Sequence, residues 1–112
     1  MRSMRHANGG RIVNVAARPA AQPVGGMIAY TTAKAAVASL TQCLADEVSD
    51  AGILVNAILP SIIDTPANRT AMPDADFACW PRPAEIAETI AFLAGPENVL
   101  TSGALVPVYG RA

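Results

Sequence analysis

A phenol and an ammonium one helical turn apart carry the most direct chemistry in this sequence. The stretch YTTAKAAVASL places Tyr30 and Lys34 at positions i and i+4, and Lys34 is the only lysine in 112 residues. On a helix two such side chains share one face. A free phenol has a pKa of about 10 and rarely exchanges a proton at neutral pH. A nearby ammonium favours the phenolate, which makes the phenol usable as a general acid or base. The ammonium also has three donors, enough to hold the hydroxyls of a ribose. The same spacing also suits an ordinary surface pair worth a few tenths of a kcal/mol. Choosing between these readings depends on what lies around the pair.

The segment before the pair, RIVNVAA (residues 11–17), is short, β-branched and bounded by Gly9-Gly10 and Pro19, which predicts a strand buried on both faces. RPAAQPVGG then reads as loop. Between Met27 and Asp50 there is no glycine or proline, and Val37, Leu40, Leu44 and Val48 recur at helical spacing, so a long helix with one apolar stripe is expected, closed by Gly52. ILVNAIL (residues 53–59) predicts a second buried strand, stopped by Pro60. Thr65 as N-cap and Pro66 at the first helical position predict a short helix. Pro83 opens another, with Ile86, Ile90 and Leu93 on one side and Gly95-Pro96 at its end. A last strand is expected from Ala104 to Val108.

Strands alternating with helices imply an α/β fold with a parallel sheet. Three strands make a thin sheet with bare edges and two faces to cover. The chain therefore reads as the second half of a doubly wound domain, with MRSMRHANGG as the tail of a helix. In such sheets ligands bind beyond the carboxyl ends of the strands. Three loops meet that edge: one leads to Tyr30 and Lys34, one begins PSIIDTP, and one holds Tyr109.

Composition narrows the function classes. Apolar residues make up 52% of the chain, and mean hydropathy is +0.32. That is rich for so short a chain and points to surface meant for burial against a partner. A net charge of −1, with no basic stripe, argues against nucleic-acid binding. Cys43 and Cys79 lack metal-ligand spacing and His6 is the sole histidine, so no metal is expected. The two cysteines read as free thiols of a cytoplasmic protein, and no apolar run is long enough to cross a bilayer.

The Tyr-x-x-x-Lys helix, GRIVNV before it, ILVNAILPSIIDTP after it and LTSGALVPVYG at the end resemble, in order, the short-chain dehydrogenase/reductase family over about residues 11–110. The resemblance implies a partial Rossmann-type, doubly wound sheet with about three strands and a long active-site helix. Residues 1–112 would be the C-terminal part of a single NAD(P)-binding domain, with its N-terminal cofactor-binding half absent. It implies hydride transfer between NAD or NADP and a small substrate, with Tyr30 as proton donor or acceptor. Lys34 would tune Tyr30 and hold the nicotinamide ribose. Asn14, Pro60, Ile63 (through its backbone) and Thr65 would lie against the cofactor. The family's habit of pairing its long helix across a two-fold axis implies a homodimer or homotetramer, here through Ala35, Ala38 and Ala45.

Two departures qualify that picture. The family usually carries a serine where this chain has Ala16-Ala17, and no Ser or Thr lies between Ala16 and Met27. Losing such a donor costs about 10²–10³ in rate where the chemistry relies on it. NVAARPA, GGMIAY and DTPANRTAMPDADFACW are similar to the dihydropteridine reductase branch, which does without the serine, and that implies a pterin-like rather than a simple carbonyl substrate. The second departure is the glycine-rich phosphate turn: Gly9-Gly10 and Gly25-Gly26 lack the G-x-G-x-x-G spacing. The competing reading is thus an inactive fragment that serves only in association.

Other residues admit two readings each. Trp80 and Phe77 could stack on a flat substrate or pack a lid onto the core. Arg69 could meet an anion, though helix capping is favoured, and Asp64 reads as an N-cap. Tyr109 seals the core, and Cys43 lies inert among apolar residues of the long helix.

Overall fold

The computed structural model describes all of residues 1–112. Three strands form one sheet in the order β1-β2-β3: β1 (Gly10–Val15), β2 (Ile53–Pro60) and β3 (Leu105–Val108). Both pairings are parallel, with Gly10 opposite Ile53, Val15 opposite Ile58, Ala57 opposite Leu105 and Pro60 opposite Val108. Four α-helices accompany it: α1 (Arg2–His6), α2 (Ile28–Glu47), α3 (Pro66–Ala71) and α4 (Pro83–Ala94).

The period of the central strand sorts the core. Val55 packs with Ala45 and Val48 of the α2 region, and Ala57 and Leu59 pack with Val37. Ile58, pointing the other way, packs with Ile86 and Leu93 of α4 and with Val13 and Val106. Helices α2 and α4 therefore cover opposite faces of the sheet. Both crossovers step in the same direction across the sheet, so one of them departs from the usual right-handed sense.

Strand β2 is buried along almost its whole length, as its apolar run predicts, but β1 is half-buried and Val15 is exposed. The expectation of a doubly buried first strand fails because β1 is an edge strand, paired on one side only.

Helix α2 presents the face that its apolar stripe predicts at Val37, Leu44 and Val48, and departs from it at Leu40. Ala38, Thr41, Ala45 and Val48 are buried against the sheet, and Leu40 is 56% exposed. Ala38 and Ala45 are thus part of the intramolecular packing and unavailable to a partner, whereas Ala35 is exposed. Small side chains let the helix lie close to the strands, and Leu40, one position outside that arc, faces out. Cys43 shares the exposed face rather than an apolar one. The helix ends at Glu47, and Gly52, at φ +71°, closes the 3-10 turn that follows it (Ser49–Ala51).

Two fully buried asparagines fasten β3. Asn56 donates to Thr101 O at 2.9 Å and accepts from Ala104 N at 3.0 Å. Asn98 donates to Leu93 O and Thr101 O, both at 3.1 Å, and accepts from Thr101 N at 2.9 Å. Arg11 of β1 reaches the same turn, donating twice to Asn98 O at 2.9 and 2.7 Å.

Candidate functional site

The carboxyl ends of β1 and β2, with the segment after β3, open onto a cleft of about 880 Å³. Ala17 and Arg18 follow β1, Pro60, Ser61 and Ile62 end or follow β2, and Tyr30 stands at the first turn of α2. This is the edge where open parallel sheets bind ligands.

Tyr30 is 47% exposed. Lys34 lies one turn on, with Nζ 6.0 Å from the centroid of the Tyr30 ring. Lys34 Nζ also donates to Val15 O at 3.1 Å, which ties the ammonium to the end of β1. One of three N–H donors is used and two are left for a ligand. Ala17 lines the same cleft and is buried, where a serine would have supplied a hydroxyl.

The other expected residues separate into distinct places. Pro60 lines the cleft. Asn14 does not: its Nδ2 donates to Thr41 Oγ1 at 3.0 Å, and Thr41 in turn donates to Val37 O at 2.8 Å. Asn14 is thus a peg between β1 and α2. Thr65 caps α3, accepting from Asn68 N at 3.2 Å, and Asn68 donates to Ile63 O at 2.8 Å. The N–H of Ile63 makes no hydrogen bond within the chain, so it is free to donate to a ligand amide.

Trp80 and Phe77 do not line the Tyr30 cleft. Trp80 is 6% exposed and packs against Phe77, ring centroids 5.0 Å apart and tilted by 51°. It lines instead a second cleft of about 520 Å³ with Ile86, Tyr109 and Arg111. The two rings pack on each other away from the Tyr30 cleft, so in this geometry neither stacks on a molecule held there.

Arg69 and Asp64 are likewise corrected. Thr65, not Asp64, is the N-cap. Arg69 forms a bidentate ion pair with Asp64, Nε–Oδ1 2.7 Å and Nη2–Oδ2 2.9 Å, and lies 4.6 Å over the Phe77 ring. Hydrogen bonds from Arg69 hold the Asp64 carboxyl below its usual range and raise Arg69 in turn. The Cys79 thiol is pushed up, chiefly by its hydrogen bond to Asp76 at 3.2 Å. No three His, Cys, Asp or Glu side chains gather into a metal-sized group, and no helix is long and apolar enough to cross a membrane.

Arg18 was missed in the sequence. It lines the cleft beside Ala17, and its guanidinium sits 4.5 Å over the Tyr109 ring. The signal was present: a charged residue directly after a predicted strand's carboxyl end, before a proline loop.

Comparison with known proteins places this geometry. The family described as short chain dehydrogenase matches residues 1–76. The 3-oxoacyl-acyl-carrier-protein reductase FabG of Pseudomonas aeruginosa is 34% identical over 119 aligned positions, covering 98% of this chain and 48% of that protein. The crystal structure of acetoin dehydrogenase from Enterobacter cloacae superposes with a TM-score of 0.84 at 37% identity, over 97% of this chain and 45% of that one. The structure of ElxO with NADP bound gives 0.87 at 27% identity, over 97% and 48%. The chain spans about half the length of the relatives it matches.

Proposed function

The chain belongs to the short-chain dehydrogenase/reductase family, and from that premise we propose that it is the C-terminal, proton-handling part of a single NAD(P)-dependent oxidoreductase domain. The carrying observation is the Tyr30–Lys34 pair at the sheet's carboxyl edge: Lys34 Nζ is 6.0 Å from the Tyr30 ring centroid and bonded to Val15 O. Tyr30 is open to the cleft and gives its proton to a substrate oxygen. The Lys34 charge, held on one side of the ring, favours the negative charge that builds on the phenol oxygen as the proton leaves. Its two uncommitted donors hold the ribose.

The donor set fits the nicotinamide end of a dinucleotide. The free N–H of Ile63 meets the carboxamide, the Thr65 hydroxyl lies in the same loop, Pro60 shapes the wall, and Asn14 keeps α2 in register behind Lys34. When bound, the nicotinamide supplies the hydride. The diphosphate is held poorly by these 112 residues, because no G-x-G-x-x-G turn is among them. ElxO is bound to NADP in its structure, which supports a nicotinamide cofactor, NAD or NADP, here too.

The substrate is a small, cyclic carbonyl or pterin-like compound, which suits a cleft without the serine hydroxyl. The protein assembles as a homodimer or homotetramer through the outer face of α2, where Ile28 (80% exposed) and Leu40 stand unpartnered. NADPH carrying deuterium at the transferable position, offered to these residues joined to a cofactor-binding N-terminal half together with a panel of small cyclic ketones and a quinonoid dihydropterin, tests the reaction class. Deuterium on the product carbon is expected, and its absence across the panel overturns the proposal.

A further inference from the structure

An amide interrupts an apolar row where β1 meets α2. Ile12 packs against the cluster that holds Ala45 and Val48, and Ala16 belongs to the one that Val37 packs against. Asn14 shares their face of the strand. Its Nδ2 donates to Thr41 Oγ1 at 3.0 Å, and the fully buried Thr41 donates in turn to Val37 O at 2.8 Å.

Apolar side chains alone would fill this space. A threonine that bonds back to the carbonyl four residues earlier slightly destabilises its own helix, and valine has nearly the same shape without the hydroxyl. What the hydroxyl adds is direction. The neighbouring buried positions of α2 are the small Ala38 and Ala45, and burial of apolar surface is non-directional, so it sets no axial position. A buried hydroxyl–amide bond is satisfied at one register only.

That register matters at Lys34. It lies seven positions before Thr41, about two turns away on the same face. Val15, whose carbonyl accepts from Lys34 Nζ at 3.1 Å, directly follows Asn14. The Lys34 bond is exposed, and a long flexible side chain gains little order from one such bond. The two bonds are rungs between the same strand and the same helix, one buried and one open to water.

We propose that Thr41 is a positioning residue: through Asn14 it keeps Val15 O within reach of Lys34 and so fixes the ammonium beside Tyr30. The inference rests on the reading of Lys34 as the cation that tunes Tyr30 and holds the ribose, and it names what sets that cation's place.

Lysine-selective 13C labelling of the full chain tests the idea by NMR, because Lys34 is the only lysine and gives the only side-chain signal. In the unaltered chain the order parameter at Cε should stand well above that of a free lysine side chain. Thr41→Ser keeps the hydroxyl and should keep that order, whereas Thr41→Val should lower it to the free level. Asn14→Leu combined with Thr41→Val leaves no donor unpaired, so its melting temperature should stay near the parent's, yet Lys34 should again be mobile. In the domain completed with a cofactor-binding half, Thr41→Val should lower kcat by about tenfold, and Thr41→Ser should turn over like the parent. A Lys34 already mobile in the unaltered chain would overturn the proposal without any variant having to fold. So would a Lys34 that stays ordered in the folded Thr41→Val or double variant, or one that Thr41→Ser frees as fully as Thr41→Val. Deuterium transfer with Lys34 order indifferent to Thr41 removes only this inference; Thr41-dependent order without deuterium transfer removes only the hydride-transfer reading.

Discussion

On the proposed mechanism Lys34 would link the chemistry to the scaffold, because its ammonium is bonded to Val15 O and lies 6.0 Å from the centroid of the Tyr30 ring. A neutral side chain there would lose both the link and the field. At the same scale, Asp64 makes a pH prediction. Its carboxyl is held low by hydrogen bonds from Arg69, so the pair stabilises the fold above the unfolded carboxylate's pKa. That contribution fades as pH falls through the lower folded value. Thermal melts of the unaltered chain and Asp64→Asn should differ most near neutral pH and converge in acid. A constant difference at every pH would show that the carboxylate charge plays no part. Ala17→Ser would return a hydroxyl to the cleft; turnover of a simple ketone should rise by about tenfold or more, measured as kcat/KM, if the missing donor limits that reaction.

At the scale of elements, the strands and the helix starts were legible and the buried polar work was not. Apolar runs flanked by glycine or proline located β2, and Thr65-Pro66 and Pro83 marked the starts of α3 and α4. These signals are local, so the sequence displays them. The apolar stripe on α2 holds at Val37, Leu44 and Val48 but not at Leu40, which faces water because close packing against the sheet selects the small Ala38, Thr41 and Ala45. The work of Asn56 is hidden because its partners are backbone groups 45 and 48 residues away, and that of Asn98, whose side chain bonds residues three and five positions away, because apolar periodicity carries no signal for polar contacts within a turn. Asn98→Ala leaves the Thr101 N–H and the Leu93 carbonyl without their bonds from this side chain, while Thr101 O keeps the one from Asn56, and should cost about 2–3 kcal/mol by urea denaturation. Thr65→Ala, which removes one capping bond at a partly exposed helix start, should cost only about 1 kcal/mol. Equal costs would contradict the ranking.

For the molecule as a whole, an open β1 edge and exposed Ile28, Leu40, Val99 and Leu100 (91% exposed) leave apolar surface and unpaired backbone facing water. Sedimentation should show association that grows with concentration, and Leu40→Glu should weaken it if the outer face of α2 is the contact. A monomer at every concentration would refute that. The candidate site follows the same division of legibility. Tyr30 and Lys34 are readable from spacing and Arg18 from its place after the first strand, while the rest of the cleft's wall emerges only when the strand ends converge. The central claim is that Tyr30 carries the proton. Its most direct test compares Tyr30→Phe with its parent, both in the domain completed with a cofactor-binding half, for NADPH affinity and for turnover of the substrate found in the deuterium screen. Affinity should be unchanged and kcat should fall by about 10²–10⁴-fold; a variant that binds and turns over like its parent would contradict the account.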